Sequence, residues 1–148
     1  MRKTLALLFF ITLLLAVARP LASQTTGIVV IVNNATIPAE SLTRDQVSKL
    51  FLKKVQHWET GTAVAPVDLA PGSEVRAVFS RAIFLKSTNA IKSYWQNQVF
   101  SGRGVPPPER DSEAQVVDFV SRTPGAIGYV AASTPLANGV RAIRIVRR

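Results

Sequence analysis

A chain of 148 residues, 47% of them hydrophobic, is long enough for one domain with a real core and short for two. Its 18 Lys and Arg against 9 Asp and Glu give a net charge of +9, and it has no cysteine, which excludes disulfide staples and the acylated thiol of a lipoprotein. The basic surplus suits an acidic partner, an anionic small molecule or a headgroup surface, but no basic run is interleaved with aromatics, so no nucleic-acid partner is expected.

Arg2 and Lys3 open the chain, an apolar run follows from Leu5 to Val17, and Arg19-Pro20 leads to the small residues Ala22 and Ser23. This is the pattern of a secretory signal peptide. Residues 1–23 are expected to be removed and residues 24–148 to form the domain, with cleavage after Ala18 as an alternative. The run is shorter than the roughly 20 residues a spanning helix needs, so no membrane span is expected after cleavage, and the location is expected to be periplasmic or secreted. Losing Arg2, Lys3 and Arg19 lowers the charge from +9 to +6.

Gly27–Val32, "GIVVIV", is a continuous β-branched run, the signature of a central strand covered on both faces. Thr43 and Gln46 form a capping box for a helix reaching about Lys53, with Val47, Leu50 and Phe51 on one stripe. A short strand is expected over Thr62–Leu69, at an edge or broken, because Pro66 cannot donate to a ladder. Ser73 stands at the N-cap of a helix patterned by Val75, Val78, Phe79, Ala82 and Ile83. Ser87 caps a third helix carrying Ile91, Tyr94 and Trp95, which ends in the loop "FSGRGVPPP", Phe100–Pro108. Ser112 and Gln115 suggest a second capping box before Val116, Val117 and Val120, and Thr123-Pro124-Gly125 stops that helix. Ala126–Ala131 and Val140–Val146 read as strands. The order β-α-β-α-α-α-β-β implies an α/β domain with a mixed sheet flanked by helices.

Little points to catalysis. The single histidine, His57, lies in a turn beside Trp58 and Glu59 with no serine or cysteine motif to activate, and the acidic residues have no ligand spacing. No catalytic residue, metal or cofactor is assigned, and the chain is read as not an enzyme. Two stretches are candidates for an anion. Gly72-Ser73 opens a helix, where free N–H groups and the dipole favour negative charge. Ser101-Gly102-Arg103-Gly104 could aim backbone N–H groups and a guanidinium at an oxyanion, or simply turn the chain.

"LTRDQVSKLFLKKVQHWETG" (Leu42–Gly61), "GSEVRAVF" (Gly72–Phe79) and "TPGAIGYVA" (Thr123–Ala131), in that order, resemble the second lobe of the periplasmic phosphate-binding proteins of ABC importers. The resemblance implies a single lobe of a type II periplasmic-binding-protein-like fold. It also implies a non-enzymatic solute-binding role with phosphate or another oxyanion as ligand, and an ABC permease or an envelope protein as partner. The family's phosphate motif, Arg-x-Asp-Gly-Ser-Gly-Thr, falls on Leu69–Val75, where only Gly72 and Ser73 match. The missing positive charge would have to come from Arg76 or Arg103. The implied site is therefore Gly72, Ser73, Arg76, Ser101, Gly102 and Arg103, with weak oxyanion binding. The alternative is a degenerate lobe acting in envelope protein–protein interaction or signalling, since Leu69, Pro71 and Val75 stand where the family has polar ligands.

Overall fold

The structure, a computed structural model, describes residues 27–35, 37 and 39–146. The expected signal segment lies outside them. Among the described residues, seven strands and four helices follow in the order β1 (Ile28–Asn33), β2 (Ser41–Thr43), α1 (Arg44–Phe51), β3 (Ala65–Pro66), β4 (Asp68–Leu69), α2 (Glu74–Phe79), α3 (Thr88–Phe100), β5 (Glu109–Arg110), α4 (Glu113–Arg122), β6 (Ala126–Ala131) and β7 (Val140–Val146), with a π-helical turn, Ser80–Phe84, continuing α2.

The main sheet has the order β2-β7-β1-β6-β3, so the β-branched first strand is central as its composition requires. β1 runs antiparallel to β6 and β7, pairing Val30 with Tyr129 and Ile143. β2 joins β7 in parallel, and β3 joins β6 in parallel, which makes the sheet mixed. Helices cover both faces. On one, an added Cβ at Gly128 would meet Val116 and Val120 of α4 at 2.7 and 3.2 Å, so Gly128 lets that helix lie close. On the other, the next residue, Tyr129, stacks on Phe79 of α2 at 3.7 Å, and Phe51 of α1 completes the aromatic cluster, 4.8 Å from Phe79.

The capping chemistry is largely that of the sequence. Thr43 and Gln46 make both bonds of the capping box. At Ser112 only half of the box forms: Ser112 Oγ accepts from the Gln115 N–H at 3.3 Å, but Gln115 Oε1 accepts from Asp111 N–H at 3.1 Å. The far end of α4 is tied down by the buried Asn33, whose Nδ2 donates to the carbonyls of Val120 and Ser121 at 2.9 and 3.2 Å.

The strand expected over Thr62–Leu69, at an edge or broken, is both. Pro66 ends edge strand β3, and Asp68-Leu69 turns away to pair with Glu109-Arg110 in a separate two-stranded ladder. The buried stripe of the α2 segment also differs from the apolar pattern: Arg76, Phe79, Ser80 and Ile83 face inward at i, i+3, i+4 and i+7, while Ala82 is exposed. A hydrophobic count missed two inward residues because they are polar.

Candidate functional site

The β4–β5 ladder sets Asp68 beside Glu109 in parallel register, and both carboxylates converge on Arg76. Arg76 is only 5% exposed. Its Nη2 lies 3.0 Å from Asp68 Oδ2, and its Nη1 donates to Glu109 Oε1 and to the Leu69 carbonyl, each at 2.6 Å. Asp68 Oδ1 also accepts from the Tyr129 hydroxyl and, at 2.9 Å, from the Leu69 N–H. A buried guanidinium requires such neutralisation, since an unpaired charge out of water is far more costly than a paired one. Burial pushes the Asp68 carboxyl up against the opposing pull of Arg76, and burial beside Asp68 pushes the Tyr129 hydroxyl well above its usual range. Tyr129 is therefore a neutral donor, and the cluster is held by complementary partners on every side.

Gly72 and Ser73 lie at the entry to α2. Ser73 Oγ accepts from the Arg76 N–H at 3.2 Å, as an N-cap, and the Ser73 N–H donates to the Ala70 carbonyl at 3.0 Å. Open space surrounds Gly72, where an added Cβ would meet nothing within 4 Å. Glu74, exposed in the first turn, sets a carboxylate against the positive end of the helix dipole.

Ser101, Gly102 and Arg103 close the C-terminal end of α3. The Arg103 N–H reaches the Gln98 carbonyl at 2.9 Å, the Gly102 N–H reaches Val99 at 3.1 Å, and Gly102 takes φ 67°, which together form a Schellman cap. The Ser101 N–H and Oγ are bonded to the Asn97 carbonyl at 3.1 and 2.7 Å. All three backbone donors are thus directed at helix carbonyls, where they close the end of the helix. Arg103 itself is exposed, and its charge complements that helix end.

The six sequence-derived residues lie on two elements, Gly72, Ser73 and Arg76 at the start of α2 and Ser101, Gly102 and Arg103 at the end of α3. Leu69, read from sequence as an apolar residue in the former cleft, is 1% exposed and belongs to the core. Asp68, Glu109 and Tyr129 were not singled out by sequence. Their signal was faint: Glu74 and Glu109 bracket a stretch with no acidic residue at all, so Glu109 is the first counter-charge the chain offers after Arg76. A groove of about 500 Å3 runs past this cluster, with Pro71, Arg76, Pro106 and Glu109 on one side and α3 on the other. His57 is exposed, and no group of three metal-ligating side chains occurs among the described residues.

Residues 19–145 match the model of the PBP superfamily domain. Among solved structures, an ABC-type phosphate transport receptor from Vibrio cholerae is similar over 80% of this chain at 20% identity, with a TM-score of 0.62. A protein from Clostridium perfringens, described as a candidate phosphate ABC transporter substrate-binding protein and solved with bound phosphate, is similar over 80% of the chain at 20% identity and TM-score 0.63. A protein from Planctomyces limnophilus, described as a candidate phosphate-binding protein, is similar over 84% at 18% identity and TM-score 0.60. The chain spans 46%, 44% and 43% of these three structures, so it corresponds to part of each. At such identities the likeness establishes the fold. No helix among the described residues is long and apolar enough to cross a membrane. With the family model covering all but the first 18 and last three residues, this chain belongs to the PBP superfamily domain family.

Proposed function

We propose that this chain is an exported, non-enzymatic recognition lobe of the phosphate-receptor type, with residues 1–23 as its export signal, and that by itself it holds an oxyanion only weakly, at the Gly72–Ser73 turn. The phosphate-related descriptions of the similar structures support the ligand class. The observation that carries the weakness is the neutralisation of Arg76: its donors are taken by Asp68, Glu109 and the Leu69 carbonyl, and an arriving anion would meet the field of two carboxylates. A shallow site also leaves most of a small ligand in water, whereas tight sites enclose it. Calorimetric titration with phosphate and with sulfate tests this, using Ser73→Ala and Arg103→Ala alongside. The expected result is binding no tighter than about millimolar, weakened by Ser73→Ala and unchanged by Arg103→Ala. Micromolar phosphate binding by the wild-type chain would overturn the proposal.

A second reading, an envelope interaction module, is favoured by one observation. α3 buries only Ile91 and Trp95, neither within the main core cluster, and leaves Val99 51% and Phe100 90% exposed beside the groove.

A further inference from the structure

Arg76 carries one positive charge and meets two carboxylates. Asp68 alone balances that charge. Its side chain is 10% exposed, and besides facing Arg76 it accepts from the Tyr129 hydroxyl and from the Leu69 N–H, so it is fixed from three sides. Glu109 is surplus to the balance and leaves the cluster net negative. Its side chain is 43% exposed, and among the described residues its carboxylate bonds to Arg76 alone, at 2.6 Å from Nη1. An ion pair whose carboxylate half faces water adds little to stability, so neither neutralisation nor stability requires the second carboxylate.

The backbone lets that side chain move. In the β4–β5 ladder the Pro108 carbonyl accepts from the Asp68 N–H and the Arg110 carbonyl from the Ala70 N–H, both at 2.9 Å. Neither bond uses Glu109, so its carboxylate can leave Arg76 with the ladder intact. Arg76 and Glu109 line the groove of about 500 Å3, and Lys92, which is exposed and has no ion pair among the described residues, lines it from α3. With Glu109 turned away, Arg76 and Asp68 form a neutral pair, Lys92 tips the groove to net positive, and the Nη1 donor once given to Glu109 is free.

Carboxylate and phosphate oxygens meet a guanidinium with the same geometry. Resting on the phosphate-receptor reading for the ligand class, we infer that Glu109 is the internal occupant of a latent oxyanion site on Arg76. Its carboxylate stands where a ligand oxygen would stand, and its charge turns anions away from the guanidinium. The Gly72–Ser73 turn is what the wild-type chain leaves open to an anion; displacing Glu109 adds a second, stronger position with Arg76 and Lys92 as its cations.

The test titrates inorganic phosphate into the full mature chain carrying Glu109→Ala, with the wild type and Glu59→Ala alongside, by calorimetry and by the Arg76 side-chain Nε–H signal in NMR. Glu59 is exposed and lines no part of this groove, so its variant matches the change in charge only. Glu109→Ala is expected to bind phosphate about tenfold or more tightly than the wild type, with the Arg76 signal moving along the same isotherm, and Glu59→Ala to bind as the wild type does. Glu109→Gln, uncharged and of the same shape, is expected to gain affinity as well, and decides the matter if the alanine variant folds poorly. No gain in the folded variants would overturn the inference and leave Glu109 a structural partner. So would a gain that Glu59→Ala shares, or one that leaves the Arg76 signal in place. The wild-type titration judges the reading separately: no response of the Gly72 and Ser73 amides at high phosphate removes the turn site whatever the variants do.

Discussion

Arg76 and Glu109 meet at 2.6 Å although 33 residues separate them, and the same guanidinium lies 3.0 Å from Asp68. One buried cation thereby fastens α2 to both strands of the small β4–β5 ladder, and its charge is consumed in doing so.

Removing that cation should leave Asp68 buried beside an unpaired Leu69 carbonyl. Arg76→Met is therefore expected to cost about 3–5 kcal/mol, measured by urea unfolding. Glu109→Gln should cost much less, because Glu109 is 43% exposed at its side chain. The double variant Arg76→Met with Asp68→Asn should lose less than the sum of the single changes, since the second removes the charge the first strands. Strict additivity would show that the pair is not coupled.

The pH dependence follows from the raised Asp68 carboxyl, with desolvation its main cause. A group whose folded pKa lies above its ordinary value of 3.8 contributes stability that is complete below that value and lost as pH rises through the folded one. The stability of the wild-type chain relative to Asp68→Asn should therefore grow as pH is lowered from neutral toward 3.8. A relative stability that shrinks over this window would show the carboxyl to be lowered by Arg76 instead.

Tyr129→Phe keeps the stack on Phe79 but deletes the hydroxyl donated to Asp68. A loss of about 1–3 kcal/mol is expected in chemical denaturation, the penalty for under-satisfying a buried acceptor. No loss would mean that water replaces the hydroxyl.

Two glycines should behave oppositely. Gly125 has φ 74°, and an added Cβ would lie 2.0 Å from the Ala63 carbonyl, so Gly125→Ala should cost more than about 2 kcal/mol. Gly72 has open space, and Gly72→Ala should change stability by less than about 0.5 kcal/mol. Thermal melts of the two variants side by side check the contrast.

Much of the architecture was legible because it rests on local chemistry. The β-branched run of Val29–Val32, the Thr43 box and the Ser73 and Ser87 caps each fix an element without reference to the rest of the chain. What was not legible depends on partners distant in sequence. β2 pairs with β7, distant in sequence, and after the break at Pro66 the chain pairs Asp68-Leu69 with the equally distant Glu109-Arg110. The site shows the same division. Ser73 was recognisable as a cap, but the inward turn of Arg76 depends on Asp68, Glu109 and Tyr129, and no spacing rule links residues 68, 76, 109 and 129. The Ser101–Arg103 loop was ambiguous in sequence because glycines serve a Schellman cap and an anion nest alike.

The most direct test is to follow the Arg76 side-chain Nε–H signal by NMR during a phosphate titration. The account predicts that it stays in place while only the amides near Gly72 and Ser73 move, at high phosphate. A large shift at Arg76 that saturates at micromolar phosphate would show that the guanidinium leaves its carboxylates for the ligand, contradicting the account.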